Sequence, residues 1–283
     1  RGVKIMKTTL SDLIVPTFDW YQFSTKTNIK LVVEALSPLQ VEEKFHEEKP
    51  KLKGYAWAKK LGGRGGSCLI HYGGKNGDDY GPNIAGTGPM AVDVANLFRA
   101  TNLAHQVGRA DVRQDAIADF ITWRTAFIDR CNAAGMATRD HGSCPESVKQ
   151  LGRTVYGGAK SSVYQPTIYE KGLQLGGDYP SNYLRLEHRY AFTKAHEKEY
   201  LSIATPSEMV GLRPVARDLS NTLVGLAIAA YKLEKLPKVE TPYYWMLRQY
   251  RKVILEMIDD LGASAVGHQF LEDLNAMQEE YSH

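Results

Sequence analysis

The sequence has few cysteines and no long apolar run. Its 3 cysteines, Cys68, Cys131 and Cys144, lie far apart and in no Cys-x-x-Cys spacing, which argues against a disulfide framework and against a zinc site. The longest apolar stretch, Leu223 to Tyr231, is too short to span a bilayer, and residues 1–10 lack the apolar segment of a signal peptide. We therefore predict reduced thiols and a cytoplasmic protein without a membrane segment, and we expect the natural chain to start at Met6.

Two further absences narrow the function. No G-x-x-x-x-G-K-[ST] occurs, which argues against an intrinsic ATPase or helicase. The charge is also not strongly of one sign, because a net charge of +3 permits a polyanionic partner but does not require one. With 43% hydrophobic and 24% charged residues, the composition is that of an ordinary globular protein.

Short segments rich in aromatic or β-branched residues alternate with helical patterns. The sequence predicts strands at 18–25, 55–61, 67–72, 83–87, 107–116, 154–156, 167–171 and 183–189. It predicts helices at 37–48, 90–100 and 120–134, then from the capping-box spacing at 205–208 through Leu233, and again over 241–261. We therefore predict an α+β fold with a central antiparallel sheet and flanking helices, followed by a helical C-terminal segment. The expected domains are 6–203 and 204–283.

The most informative segment is the predicted strand 107–116. Arg109, Asp111, Arg113 and Asp115 occupy alternate positions, so they project from one face. An isolated ladder of this kind is as readily a solvated face of paired charges. A second strand, however, alternates Arg185, Glu187 and Arg189 with Leu184, Leu186 and His188. If the two strands are near neighbours, Asp111 and Glu187 converge on one hard divalent cation, and Arg109 and Arg185 are left to pair with phosphate oxygens.

A tyrosine lies between these two strands in the sequence T-I-Y-E-K, where Tyr169 and Lys171 share one face. Spacing alone favours a structural tyrosine. A phenol nevertheless serves as a covalent nucleophile toward a phosphodiester when nearby cations favour the phenolate and stabilise the charged transition state. The aryl phosphodiester that forms keeps the energy of the cleaved bond, as a nick-and-rejoin enzyme requires.

Together these motifs resemble the trans-acting replication initiation factors of rolling-circle plasmids, filamentous phages and integrative elements, over roughly 18–190. The resemblance rests on three features in order: R-x-D-x-x-x-D at Arg109, Asp111 and Asp115; T-x-Y-x-G-x-K-x-S from Thr154 to Ser162, followed by I-Y-E-K; and L-R-L-E. It implies that Tyr169, rather than Tyr156, is the nucleophile and that Lys171 is its phosphate or phenolate partner. It also implies that Asp111 and Glu187 hold Mg²⁺ or Mn²⁺, with Asp115 a weaker candidate ligand.

The resemblance further implies a nicking endonuclease and strand transferase that acts on single-stranded or cruciform origin DNA. A host helicase is a candidate partner, and family members often act as dimers, although no coiled-coil heptads occur here. No His-hydrophobe-His pair is present, so carboxylates must hold any metal. The chain departs from the family at Thr167, where an arginine is usual, so Lys160 or Arg185 would supply that cation. The segment P-N-I-A-G-T-G at 82–88 is closest to phage and mobile-element members.

Two other hypotheses remain open at this point. The missing arginine at Thr167 is compatible with a non-catalytic DNA-binding regulator on an initiator-like scaffold. A metal-dependent phosphodiesterase that uses water instead of tyrosine is the other alternative. The two differ in whether DNA is cut at all, and the second differs from the leading hypothesis in whether Tyr169 is needed.

Overall fold

Ten strands form one sheet in the computed structural model, which describes residues 14–40, 43–63, 65–74, 81–101, 103–141, 152–176 and 179–230. The strands are β1 (Thr17–Thr25), β2 (His46–Glu48), β3 (Tyr55–Gly63), β4 (Gly66–Gly74), β5 (Asn83–Thr87), β6 (His105–Ile117), β7 (Thr138–His141), β8 (Thr154–Gly157), β9 (Tyr164–Tyr169) and β10 (Tyr183–Ala191). Every neighbouring pair is antiparallel. The predicted α+β fold with a central antiparallel sheet is confirmed.

Seven short α-helices connect or follow the strands: α1 (Ile29–Ala35), α2 (Pro89–Ala100), α3 (Phe120–Ala133), α4 (Lys171–Leu175), α5 (Ala195–Tyr200), α6 (Pro206–Gly211) and α7 (Pro214–Leu219), within the described ranges. Local chemistry fixes several of their ends. Asp119 accepts a hydrogen bond from the Thr122 amide at the start of α3, and Gly135 takes a positive φ of 70° just beyond its end. Thr205 and Glu208 form the predicted capping box of α6.

The strand order is β2-β3-β4-β5-β1-β6-β10-β9-β8-β7. In each half of the sheet, the strand that comes first in the sequence, β1 or β6, lies at the centre. The next four strands follow in order from the outer edge back to that central strand. A helix follows the first strand of each half, α1 after β1 and α3 after β6. The sheet therefore consists of two topologically equivalent halves that join at the β1–β6 pair.

One face of the sheet packs against helices and carries the core. Phe23 on β1 lies 4.5 Å from Phe98 on α2, between ring centroids. In the second half, Leu184 and Leu186 on β10 are buried in a cluster with Phe127 of α3. Because side chains alternate along a strand, Arg185, between these leucines, points to the other face, where the predicted site lies.

Three predicted elements differ from the structure. The helix predicted over 37–48 is wrong, because Ser37–Leu39 forms a 3₁₀ turn and His46–Glu48 is an edge strand. The predicted strand 167–171 is displaced, since β9 ends at Tyr169 and Lys171 begins α4. The predicted continuous helix after Thr205 is broken between α6 and α7, and a π-helical turn at Ser220–Val224 ends at Gly225, which has a φ of 75°. The predicted helix over 241–261 lies outside the described residues.

The chain divides into two compact units, residues 1–233 and 234–283, and the second lies outside the described ranges. The helices α6 and α7 belong to the first unit, where Met209 and Ala216 join the core. The predicted division into 6–203 and 204–283 stays a prediction. Within the described ranges, no helix has both the length and the apolar character needed to cross a membrane.

Candidate active site

Strands β6 and β10 are direct neighbours, as the predicted site requires. Their register sets Asp115 opposite Arg185, Arg113 opposite Glu187 and Asp111 opposite Arg189. Acids therefore face bases across the pair at three successive alternate positions. The result is a charged face on the side of the sheet away from the α3 core cluster.

Tyr169 lies at the end of β9 and is half-buried, with Arg185 as its partner on β10. Its hydroxyl donates a hydrogen bond to Oε2 of Glu187, over 3.3 Å. Burial and the Glu187 carboxylate raise the pKa of the Tyr169 phenol well above its ordinary value, whereas the Arg185 guanidinium lowers it. The phenol therefore stays protonated near neutral pH, and Glu187 is an immediate acceptor for its proton.

Lys171 begins α4, so the chain turns sharply after the tyrosine. Its Nζ lies 5.7 Å from the centroid of the Tyr169 ring and donates to Oε1 of Gln174, over 2.8 Å. Burial and the nearby Arg185 guanidinium lower the pKa of the Lys171 amine. Tyr169 and Lys171, predicted to share a face of one strand, are thus close in space. The turn after Tyr169 brings them together, and strand alternation does not.

Arg185 is the most deeply buried charge of the site, at 2% exposure. Its Nε and Nη2 donate to the two oxygens of Asp115, over 2.6 and 2.9 Å, and its Nη1 donates to Asp19, over 3.0 Å. Asp115 accepts a further hydrogen bond from the Tyr183 hydroxyl, over 2.8 Å. Both oxygens of Asp115, a predicted metal ligand, and all three nitrogens of Arg185, a predicted phosphate ligand, are therefore held in this network.

Asp19 is a site residue that the sequence reasoning missed. It lies on β1, where the register with β6 shifts between Phe18 and Trp20. By strict alternation Asp19 would share the core face of Tyr21 and Phe23, but the bulge turns its carboxylate toward Arg185 and Arg113. In the sequence, Asp19 is marked only as the single acid in an aromatic strand, F-D-W-Y-Q-F.

Asp111 is held between two arginines. Arg109 donates to it through Nε, over 3.0 Å, and through Nη2, and Nε of Arg189 lies 3.5 Å from its Oδ1. Arg189 also reaches Oε1 of Glu187, over 3.4 Å. The side chains of Arg109 and Arg189 are about one-third exposed, at 32% and 28%. They are thus cations on the solvent side of a buried acidic pair.

Glu187 is buried beside other acids. Burial and the carboxylates of Asp111 and Asp19 raise its pKa to about 7, against the opposing effect of Arg189 and Arg185. Close carboxylates resist simultaneous ionisation, and a divalent cation would relieve that repulsion. Carboxylate oxygens are also the ligands that Mg²⁺ and Mn²⁺ prefer. The donor set therefore fits a hard cation in its chemistry. Of the residues in the described ranges, no three His, Cys, Asp or Glu side chains form a ready-made metal cluster, and the metal ligands stay predictions.

Thr167 occupies the position where an arginine was expected. It lies opposite Glu187 on β10 and opposite Tyr156 on β8, and its buried hydroxyl has no hydrogen-bond partner. Of the two residues predicted to replace that arginine, Arg185 lies opposite Tyr169, whereas Lys160 is exposed in the turn after β8. Tyr156 contacts different groups, since its ring lies 5.5 Å from the ring of His141 and 5.7 Å from the Arg139 guanidinium.

The fold matches that of a protein solved under the description rolling circle replication initiator protein from Geobacillus stearothermophilus. The TM-score is 0.53 at 19% sequence identity, and the match covers 77% of this chain and 99% of the other. No model of a protein family matches the chain, and no curated protein matches its sequence. At this identity the likeness extends to the fold: the architecture that carries the candidate site is also that of the Geobacillus protein.

Proposed function

We propose that this chain is a rolling-circle replication initiator that nicks one DNA strand with Tyr169 and stays attached to the 5′ phosphate. The observation that carries the proposal is the 3.3 Å hydrogen bond from the Tyr169 hydroxyl to Glu187 in a pocket with several cations. The fold it shares with the Geobacillus initiator supports the same conclusion. The proposed substrate is single-stranded or cruciform origin DNA in the cytoplasm of a bacterial host.

In the proposed reaction, the Tyr169 oxygen attacks the scissile phosphorus. The bond between phosphorus and the 3′ oxygen breaks, and an aryl phosphodiester forms on the tyrosine. Oε2 of Glu187, which already accepts a hydrogen bond from the phenol, takes the phenolic proton, and the departing 3′ oxygen takes up a proton in turn. Attack by a 3′ hydroxyl on the aryl phosphodiester reverses these bond changes, so the strand is rejoined without an external energy source.

The cations divide into two groups by exposure. Arg109 and Lys171 are the proposed phosphate ligands, because Arg109 is part-exposed and Lys171 lies over the tyrosine ring. Arg185 is buried and bonded to Asp115 and Asp19, so we assign it an electrostatic role: its charge lowers the pKa of Tyr169 from within the sheet.

Asp111 and Glu187 are the proposed Mg²⁺ or Mn²⁺ ligands, and Asp19 lies close enough to Glu187 to raise its pKa. A bound cation would neutralise charge on the scissile phosphate and favour the phenolate. Asp115 is engaged with Arg185 and Tyr183, so we propose that it positions Arg185 instead. A host helicase and a second copy of the chain remain proposed partners.

The test is covalent capture of origin DNA. Labelled single-stranded DNA spanning the origin of the parent replicon is incubated with the protein and Mn²⁺, and adducts are resolved on a denaturing gel. We expect an SDS-resistant adduct with the wild type and with Tyr156→Phe, the matched control, and none with Tyr169→Phe.

Two outcomes would contradict the proposal. Binding of the origin DNA without nicking would favour a non-catalytic regulator, the hypothesis raised by Thr167. Cleavage that persists in Tyr169→Phe would instead indicate a phosphodiesterase that uses water.

A further inference from the structure

A pair of apolar residues lies next to the charged face of the site, where β6 ends and β10 begins. Ile117 lies two residues beyond Asp115 on β6, and Tyr183 lies two residues before Arg185 on β10. The two are register partners, so both share the face of Asp115 and Arg185. Ile117 is 42% exposed. At this end, the charged face is therefore followed by two apolar residues, Tyr183 and the exposed Ile117.

An exposed aromatic ring lies against one of these two residues. The rings of Tyr179 and Tyr183 are stacked, with centroids 5.9 Å apart and an angle of 23° between their planes. Tyr183 is buried and fixed by the hydrogen bond from its hydroxyl to Asp115, whereas Tyr179 is 54% exposed. The lower ring is thus anchored to the carboxylate that holds Arg185, and the upper ring is open to solvent.

This stack lies on the same face of the sheet as the proposed nucleophile. Arg185 is the register partner of Tyr169, and residues two apart on a strand are separated by about 7 Å. Tyr183 is therefore one such step along β10 from the residue that faces Tyr169. On the other side, α4 begins with Lys171, whose Nζ lies over the Tyr169 ring. The Tyr169 hydroxyl bonds Glu187, which lies four residues, or about 14 Å, from Tyr183 along β10. A strand of DNA with its phosphate at this hydroxyl therefore has the Lys171 cation close by and the aromatic stack about two nucleotides away.

We propose that Tyr179, supported by Tyr183, is a stacking platform for an unpaired base about two nucleotides from the scissile phosphate. The proposal rests on the proposed function of Tyr169. Bases stack on exposed aromatic rings whatever their identity, because every base has a π-face. The juxtaposition of an anchored ring pair with phosphate-binding cations is the arrangement that fits a nucleotide, which has both an anion and a flat apolar group.

The experiment measures binding to two fluorescein-labelled probes, (dT)₁₂ and a twelve-unit abasic strand with the same phosphates but no bases. All proteins carry Tyr169→Phe, so that cleavage cannot interfere. We expect Tyr179→Ala to weaken binding of (dT)₁₂ by about fivefold to a hundredfold and to leave binding of the abasic strand unchanged. Tyr179→Trp should restore binding, whereas Tyr179→Leu, apolar but not aromatic, should not.

The matched control is Trp57→Ala, since Trp57 is also an exposed aromatic residue, at 60% exposure, but lies on β3 in the other half of the sheet. This change should leave binding of both probes as it is. The proposal is overturned if Tyr179→Ala leaves (dT)₁₂ binding intact or weakens both probes equally. It is also overturned if the change alters only the molecular mass in solution, because the surface would then contact a second copy of the chain.

These outcomes are independent of nicking. Stacking on Tyr179 together with absence of the Tyr169 adduct would leave the platform standing on a DNA-binding regulator. A Tyr169 adduct together with unchanged binding by Tyr179→Ala would remove the platform and keep the nuclease.

Discussion

The pKa of Glu187 shows how neighbouring residues determine the ionisation of one side chain in this site. Burial raises the pKa of its carboxyl to about 7, and the Asp111 and Asp19 carboxylates contribute to the shift. The same side chain accepts the hydrogen bond from the Tyr169 hydroxyl. An ionised carboxylate in this position is unfavourable in free energy, and a bound cation or a proton accepted from the phenol would relieve this cost.

The first prediction concerns the stability of Glu187→Gln. An unfolded Glu187 ionises near its ordinary pKa of 4.5, whereas the folded one keeps its proton to about pH 7. The folded state therefore binds more protons between these values, and its stability falls as pH rises through that window. We expect Glu187→Gln to raise the Tm at pH 8, with a smaller difference at pH 5. Thermal unfolding followed by circular dichroism measures this.

The control for this prediction is Glu34→Gln, on the exposed side of α1, which should leave the Tm at both pH values nearly unchanged. A Glu187→Gln protein whose Tm difference is the same at pH 5 and pH 8 would show that ionisation of Glu187 does not limit stability.

The second prediction concerns metal binding at the same residue. If Mn²⁺ binds the proposed site in the folded state alone, then at 100 times its Kd it should stabilise the folded protein by about 2.7 kcal/mol. We expect the corresponding rise in Tm at pH 8 for the wild type. The rise should be smaller at pH 6, where Glu187 is largely protonated, and absent in Asp111→Asn. Equal rises in Asp111→Asn and the wild type would place the metal elsewhere.

At the scale of single elements, the strands of the site were predictable and its helical neighbours less so. The alternation of Arg109 to Asp115 and of Arg185 to Arg189 marks one charged face on each strand, and β6 and β10 are paired as these faces require. Alternation depends only on backbone geometry, which tertiary structure seldom changes inside a long strand. A bulge breaks it, which is why Asp19 escaped prediction.

The segment 37–48 failed for a different reason. Ser37 and Pro38 have the capping chemistry of a helix start, and a 3₁₀ turn does begin there. His46–Glu48 then pairs with Ala58 to Lys60 as the edge strand β2, where Glu47 bonds Lys59 and Tyr72. Local propensity is a weak term, and cross-strand pairing overrides it.

The third prediction concerns the link between β6 and β10. Asp115→Asn removes one partner of the buried Arg185 ion pair and leaves the guanidinium with Asp19 alone. We expect a loss of about 3 kcal/mol in the free energy of unfolding, measured by urea denaturation, because a buried charge that loses its partner is strongly destabilising. The double change Asp115→Asn with Arg185→Met should recover part of this loss.

A surface ion pair provides the comparison. Glu47→Gln breaks the exposed Lys59–Glu47 pair between β2 and β3, and the free energy of unfolding should hardly change, because water and salt screen such pairs. Similar losses for Asp115→Asn and Glu47→Gln would contradict the view that burial makes the Arg185 pair decisive.

At the scale of the whole molecule, the two halves of the sheet meet where the site is built. Asp19 comes from β1 in the first half, and Asp111, Tyr169, Arg185 and Glu187 come from the second. The β1–β6 seam is long, with paired residues from Thr17 to Thr25. A site that spans such a seam depends on both halves being folded at once.

The fourth prediction tests whether the halves unfold together. Cys68 lies in the core of the first half and Cys131 in that of the second, and burial raises the pKa of both thiols to about 12. In a Cys144→Ser background, both should react with iodoacetamide about a thousandfold more slowly in the native protein than in urea. Because the seam couples the halves, we expect both thiols to become reactive at the same urea concentration, as read by mass spectrometry of the labelled peptides. Labelling of Cys68 at lower urea, with Cys131 still protected, would mean that the halves open separately and that Asp19 leaves the site before the rest of it unfolds.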